Sequence, residues 1–322
     1  MTNLSFYNYY NEEKDDFSDI IFGLKDEKQK KLSSKYFYDE NGSTLFDEIT
    51  TLKEYYPTKK EIEILENQDK EFFKNLPSNS IVIEFGGGSN KKIIKLLKAL
   101  NNPIEYIPID ISKEFLYKNA AKSAKKFPDI KVSAICADFD QVETIEKLIG
   151  KERSKIGFFP GSTIGNYCPK DAKKLLKKFS KILGNNNYLI VGVDLKKDVD
   201  VLEKAYNDSE GITAKFNKNI LNGINNKCGS FFNVNNFYHK AFFNKNENRV
   251  EMHLVSKKRQ SVQILDNIIN IDKGESIHTE NSYKYSLQSF KELSKSVGFE
   301  IIKVLTDEEL FFGVFFLKVK NS

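Results

Sequence analysis

Ile81-Val82-Ile83-Glu84-Phe85-Gly86-Gly87-Gly88 is the stretch that decides the fold. A short apolar run closes on consecutive glycines. The residues after it carry Ile93, Ile94, Leu96, Leu97 and Leu100 at spacings that fill one helical face. Outward from this strand, turn and helix, the same alternation recurs. Residues 104–109 read as a strand ending at Asp110, and the next helix buries Phe115, Leu116, Ala120, Ala124 and Phe127. Residues 131–136 read as a third strand, with a helix over 141–148 behind it. Residues 156–159 lead into Pro160-Gly161-Ser162-Thr163-Ile164-Gly165-Asn166. A helix with Pro169 in its first turn and Leu175, Leu176, Phe179 and Leu183 on its buried side follows. Residues 188–193 supply a fifth strand. This pattern predicts an α/β fold with a parallel, doubly wound sheet and right-handed crossovers.

After residue 196 the pattern changes. Helical segments at 199–207 and 213–226 precede period-2 stretches at 250–254 and 262–264, which read as antiparallel strands of a separate layer. A helix over 285–297 and strands at 299–305 and 310–319 then return to the first sheet. The expected organisation is a large domain over 61–196 plus 286–322, into which a smaller α+β domain over 15–60 plus 197–285 is inserted. The N-terminal 60 residues are expected to join the insertion.

Composition limits the function classes. The net charge is +5, yet of 50 basic residues only Arg153, Arg249 and Arg259 are arginine. Nucleic-acid readers favour arginine for bidentate contacts, whereas the lysines here fall on the solvent side of helices such as 170–181, so no nucleic-acid partner is expected. Cys136, Cys168 and Cys228 lie far apart and form no C-x-x-C pair. Buried, reduced thiols in a cytoplasmic protein are expected. The acidic stretch 1–16 has no secretory pattern, and the apolar run 310–317 is too short to span a bilayer, so no membrane partner is expected. His239, His253 and His278 fit no zinc spacing, and no metal is expected. The chain is expected to act as a monomer.

Ligands of such sheets bind at the carboxyl ends of the strands, near the topological switch point. Gly86-Gly87-Gly88 falls there. Asn90 and Lys91 stand where a dinucleotide fold wants its third glycine, so the short E-x-G-x-G over 84–88 suits S-adenosylmethionine better than a nicotinamide cofactor. Asp110 ends the second strand, where a carboxylate accepts from ribose hydroxyls. Asp138 ends the third, where it takes an adenine amine while Phe139 covers the base. Each aspartate equally suits a cap on the following helix. Lys92 lies on the first helix, beside the same turn.

The family resemblance rests on several blocks. Lys35-Tyr-Phe-Tyr38-Asp39-x-x-Gly42-Ser43-x-Leu45-Phe46-x-x-Ile49-Thr50 and Glu54-Tyr55-Tyr56-Pro57-Thr58 resemble the entry segment of the histidine-specific N-methyltransferases. Those enzymes make hercynine, the trimethylbetaine of histidine, in ergothioneine biosynthesis. The resemblance continues in register through Gly161–Asn166, Asp194-Leu-x-Lys197-Asp198, Ala205-Tyr206-x-Asp208 and Gly211-x-Thr213-Ala214-x-Phe216-Asn217-x-Asn219. It ends with Arg249-x-Glu251-Met252 and Thr279-Glu280-x-Ser282-x-Lys284, covering about residues 33–308. It implies a class I, Rossmann-like methyltransferase sheet with an inserted substrate-binding domain, S-adenosylmethionine as cofactor and L-histidine as small-molecule substrate. By matching position it implies Tyr55, Asn166, Tyr206, Glu280 and Ser282 at the substrate, with Tyr56 an alternative to Tyr55. It implies Gly86, Lys92, Asp110, Asp138 and Phe139 at the cofactor, with Tyr38 a further candidate. Gly87 departs from a common serine, Asn90-Lys91 replaces a usual Ser-Glu, and the tryptophan pair that often precedes Thr306-Asp307 is missing.

These residue types suit methyl transfer to an amine, which is chiefly an orientation problem because the donor is already activated. No dedicated base is expected, and none stands out. Asn166 and Tyr206 can donate to a carboxylate. Glu280 and Ser282, at i and i+2 on an extended segment, share a face and can grip an imidazole. Methylation of another amino acid, such as a tryptophan derivative, or of RNA remains the alternative.

Overall fold

The computed structural model describes residues 3–10, 17–67, 70–88, 90–150 and 152–320. In chain order the first strands are β1 (Leu4–Asn8), β2 (Lys30–Lys31), β3 (Ile81–Phe85), β4 (Glu105–Asp110), β5 (Lys131–Cys136), β6 (Lys155–Phe159) and β7 (Tyr188–Asp194). The later ones are β8 (Phe237–Asn244), β9 (Arg249–Ser256), β10 (Gln260–Ile264), β11 (Asn267–Ile271), β12 (Ser276–Tyr283), β13 (Phe299–Thr306) and β14 (Phe312–Val319). The chain divides into two compact units. The first comprises Met1–Tyr10, Pro57–Lys196 and Lys284–Ser322, and the second Asn11–Tyr56 and Lys197–Tyr283. Residues 15 and 16, where the inserted domain is expected to begin, lie outside the described residues.

The first unit is built on an eight-stranded sheet in the order β1-β5-β4-β3-β6-β7-β14-β13. The pairs that join β1, β5, β4, β3, β6 and β7 are all parallel, and β14 alone runs against them, since β13 is antiparallel to β14 and so points the same way as β7. Strands covered on both faces should be apolar throughout. Accordingly, every residue of β3 and of β6 is buried. The order places β3 centrally, with the chain winding one way through β4 and β5 and the other through β6 and β7. The switch point therefore lies beside the glycine turn.

Crossover helices follow from one-sided apolar patterns. Helix Pro169–Leu183 buries Ala172, Leu175, Leu176, Phe179, Ile182 and Leu183, starts with proline and stops at Gly184. Helix Leu287–Lys295 is fixed by a capping box from Ser286 to Ser289. Two expectations are corrected. Residues 4–8 do not join the insertion; they add an edge strand to the main sheet, where the Asn3 amide reaches the carbonyls of Ala124, Phe127 and Ile130. The last strand begins at Phe312 rather than at 310, because Leu310 takes a left-handed turn and the Asp307 carboxylate accepts the Phe312 N–H at 2.7 Å.

The second unit carries a four-stranded sheet in the order β2-β12-β9-β8 and the hairpin β10–β11. Helices Ser18–Leu24, Glu40–Ile49, Val199–Tyr206 and Ile212–Cys228 accompany them. Asp39 caps the second of these helices, accepting from Gly42 N at 2.7 Å. The Asp208 carboxylate takes the N–H groups of Ile212 and Thr213 at the start of the fourth.

Candidate active site

Parallel register aligns the strand ends of the first unit. The N–H groups of Gly86 and Gly87 donate to the Ile109 carbonyl, and Ala137 N donates to the Asp110 carbonyl at 3.1 Å. Gly86, Asp110 and Asp138 therefore stand in a row at the carboxyl edge of β3, β4 and β5. Gly86 has φ +83, and a side chain there would point into open space, the cradle that a close-lying ligand requires. Gly87 is constrained differently: a Cβ would sit 2.6 Å from the Pro108 side chain.

Neither aspartate is a helix cap. Asp110 accepts from Ser112 N at 2.9 Å, and Asp138 accepts from Asp140 N at 2.8 Å. The caps themselves are Ser112 and Gln141. Burial raises the Asp110 carboxyl above its ordinary value. The Phe139 ring, half-buried, packs edge-on against Phe85, Phe159 and Phe179. Asn166 closes the short helical turn Thr163–Asn166, whose entry residue Ser162 is left-handed.

Sequence reasoning missed Glu61. It is fully buried on helix Tyr56–Glu66, and its Oε2 accepts from Lys92 Nζ at 2.6 Å and from Gly161 N at 2.8 Å. Among the described residues its Oε1 has no hydrogen-bond partner. One carboxylate thus ties the lysine beside the glycine turn to the backbone of the 160–166 turn. Its partners are 31 and 100 residues away in sequence, so no local pattern could reveal it.

Glu84 opens the glycine motif and is also buried, with the Tyr106 hydroxyl donating to it. Desolvation pushes its carboxyl up to about 8. The folded state therefore keeps Glu84 protonated where the unfolded chain ionises. Its stabilising contribution is complete below about pH 4.5 and is lost as pH rises to about 8. Glu84→Gln should become progressively more stable than the parent across that window, by roughly 1.4 kcal/mol per pH unit. A pH-independent stability difference in urea melts would show that Glu84 is ionised in the fold.

In the second unit the structure gathers the aromatic and polar candidates. Tyr206 ends helix Val199–Tyr206, and its hydroxyl donates to Ser282 Oγ at 2.7 Å. The Tyr55 ring stands edge-on to Tyr206 at 6.4 Å and to Phe46 at 6.3 Å. Tyr38 belongs to the same cluster, meeting Phe46 and Phe216. Tyr56, next to Tyr55 in sequence, has both its ring and its hydroxyl engaged by Lys197 Nζ. The fold thus gives different neighbours to a tandem pair that sequence leaves equivalent.

Glu280 and Ser282 lie on β12 opposite Met252 and Val250, so they share one sheet face. The ladder slips between His278 and Glu280. His278 pairs with His253 and Glu280 with Met252, leaving Thr279 as a bulge. In regular register His278 would share the face of Glu280 and Ser282; the slip sends it to the other side. There the rings of Phe242, His253 and His278 stack across the strands.

Glu251, His253 and His278 bring donor atoms within 4.8 Å of one another, the one such group among the described residues. Their geometry does not suit a metal. The imidazoles are 13° from parallel, so their in-plane lone pairs do not converge. Both Glu251 oxygens are already engaged, by Arg249 and Asn244 on one side and His253 on the other. Burial lowers the pKa of both histidines.

A model of the family described as histidine-specific, S-adenosylmethionine-dependent methyltransferases matches residues 16–319. The chain belongs to that family. It is 35% identical over 301 residues to the histidine N-alpha-methyltransferase of Mycobacterium tuberculosis, covering 92% of each chain. It is 36% identical to the enzyme of the same name from Mycolicibacterium smegmatis, covering 80% of each. The 4-dimethylallyltryptophan N-methyltransferase of Epichloe festucae var. lolii is 26% identical, with 90% of each chain covered. As a member of this family the chain is an N-methyltransferase, its methyl donor is S-adenosylmethionine, and the eight-stranded sheet is the class I methyltransferase layer. Gly86, with open space above it, and the Asp110–Asp138 row fit such a donor. Among the described residues no helix is long and apolar enough to cross a membrane.

Proposed function

We propose that this methyltransferase acts on the α-amine of free L-histidine and carries it to the trimethylated betaine, hercynine. The observation that carries the reading is the convergence of Tyr55, Tyr206 and Ser282 beside the strand face that bears Glu280. A carboxylate and a hydroxyl on one face suit the N–H and the lone pair of an imidazole. A site with such groups rejects apolar side chains, because its own polar atoms would lose their partners. The names of the relatives support the same substrate.

In this reading Gly86, Lys92, Asp110, Asp138 and Phe139 hold S-adenosylmethionine, which supplies an activated methyl group when bound. Asp110 takes the ribose hydroxyls, and Asp138 with Phe139 takes the adenine. Lys92 is held by Glu61 and Asn166 by the 160–166 turn, where its amide can donate to the substrate carboxylate. Tyr206 and Ser282 orient the amino acid, and Glu280 reads the ring. The neutral amine is a minor species near neutral pH, so the residues need only align it. The aromatic rings of the Tyr38–Phe46–Tyr55–Phe216 cluster accommodate the growing cationic charge. None of the three cysteines forms a disulfide, which accords with a cytoplasmic enzyme, although Cys168 is half-buried rather than buried.

The test is incubation with S-adenosylmethionine and each amino acid in turn, read by mass spectrometry. Histidine should gain three methyl groups. Methylation of tryptophan or its derivatives without any on histidine would replace the substrate. Inactivity on every amino acid, with salt-sensitive retention of RNA, would replace the class.

A further inference from the structure

We propose that Asn217, acting through His239 and Thr279, is a positioning residue that holds the substrate-reading groups Tyr206, Glu280 and Ser282 in place. The inference rests on the roles given above to those three residues. Asn217 lies in the middle of helix Ile212–Cys228 and is completely buried. Asparagine is a poor residue for a helix interior, and a buried amide is costly unless its hydrogen-bonding capacity is met. Here it is met by groups that belong to the reading face.

Asn217 Nδ2 donates to His239 Nδ1 at 2.8 Å and to the His253 carbonyl at 3.1 Å. Its Oδ1 accepts from the Thr279 hydroxyl at 2.6 Å. The His253 carbonyl can only accept, so the amide nitrogen must face it; this fixes the amide orientation. His239 Nε2 lies 2.8 Å from the Tyr206 carbonyl, which also can only accept. The proton of His239 is therefore on Nε2, leaving Nδ1 bare for Asn217. Two carbonyls on different elements thus require the same neutral tautomer, and burial favours it. Charged groups acting on this ring are Asp208, which favours protonation, and Lys218, which opposes it.

The consequences reach both parts of the reading face. Through His239 the amide fixes the carbonyl of Tyr206, whose own hydroxyl holds Ser282. Through Thr279 it fixes the bulged residue, whose hydroxyl is also 3.0 Å from the Met252 carbonyl. That bulge separates the face of Glu280 and Ser282 from that of His278. One buried amide therefore governs both the end of a helix and the register of a strand.

Calorimetric titration of the full chain with histidine and, separately, with S-adenosylhomocysteine tests this. Thr279→Val keeps the volume but removes the hydroxyl. It should weaken histidine binding roughly tenfold or more while S-adenosylhomocysteine affinity stays within about twofold. Asn217→Asp is the second variant. Its carboxylate can still accept from Thr279, but it can accept from His239 only when Nδ1 carries a proton. Its histidine affinity and its melting temperature, each relative to the parent, should therefore rise as pH falls from about 8 to about 6. Equal loss of both ligands in Thr279→Val, or a pH-independent ratio in Asn217→Asp, overturns the proposal. A parent chain that binds the cofactor product but no histidine instead overturns the functional reading, and the melting-temperature arm still decides whether Asn217 and His239 are coupled.

Discussion

Lys284→Met should destabilise the first unit by about 3–5 kcal/mol, more than any surface substitution in the chain. Lys284 Nζ lies 2.6 Å from Asp194 Oδ2, and both side chains are almost wholly excluded from solvent. Removing the lysine takes the cationic partner from a buried carboxylate, in a medium that solvates charge poorly. The pair also sits at a junction. Asp194 ends β7, its backbone N–H donates to Ser162 Oγ, and Lys196 N donates to the Tyr285 carbonyl while Tyr285 N donates to the Asp194 carbonyl. Lys284→Met combined with Asp194→Leu should recover much of the loss, since apolar replacement of a whole buried pair is often close to neutral. Urea denaturation of the parent and the two variants measures this. A single-variant loss below about 1 kcal/mol would mean that the pair contributes no more than an exposed ion pair does.

Glu280→Ala should reduce histidine affinity by roughly a hundredfold or more. Losing one partner of a desolvated, charge-assisted contact commonly costs about 2–5 kcal/mol. S-adenosylhomocysteine affinity should hardly change, and Asp110→Ala should show the reverse pattern. The contrast matters more than either number, because a fold defect would weaken both ligands together. Binding measured separately for each ligand distinguishes the cases: parallel losses in Glu280→Ala would remove Glu280 from the substrate.

Much of this was legible in the residues. From 81 to 194 apolar periodicity marks each strand and helix, because the strands are buried on both faces and the helices on one. Legibility fails where polar groups are buried. β12 reads Ser-Ile-His-Thr-Glu-Asn-Ser-Tyr, a mostly polar extended segment with no sign of burial, yet Thr279 and Ser282 are buried because Asn217 and Tyr206 satisfy them. β1 is a short edge strand that depends on pairing with β5, a partner more than a hundred residues away. The site shows the same division. Asp110, Asp138 and the glycine turn follow from their places at strand ends. Glu61 and Asn217 do not, since each is defined by groups that only the folded chain brings near. Tyr55 and Tyr56 have the same chemistry and adjacent positions, and only their neighbours in the fold tell them apart.

Gly87 and Pro108 show how such a site can change with time. A serine at 87 would press on the proline ring of the neighbouring strand, because its Cβ would lie 2.6 Å from the Pro108 side chain, so position 108 would have to give way before position 87 could gain a side chain. The two positions are therefore expected to be epistatic, with one order of substitution easier than the other. A lineage carrying this proline would keep a bare turn at this strand end, with no selection on the turn itself required.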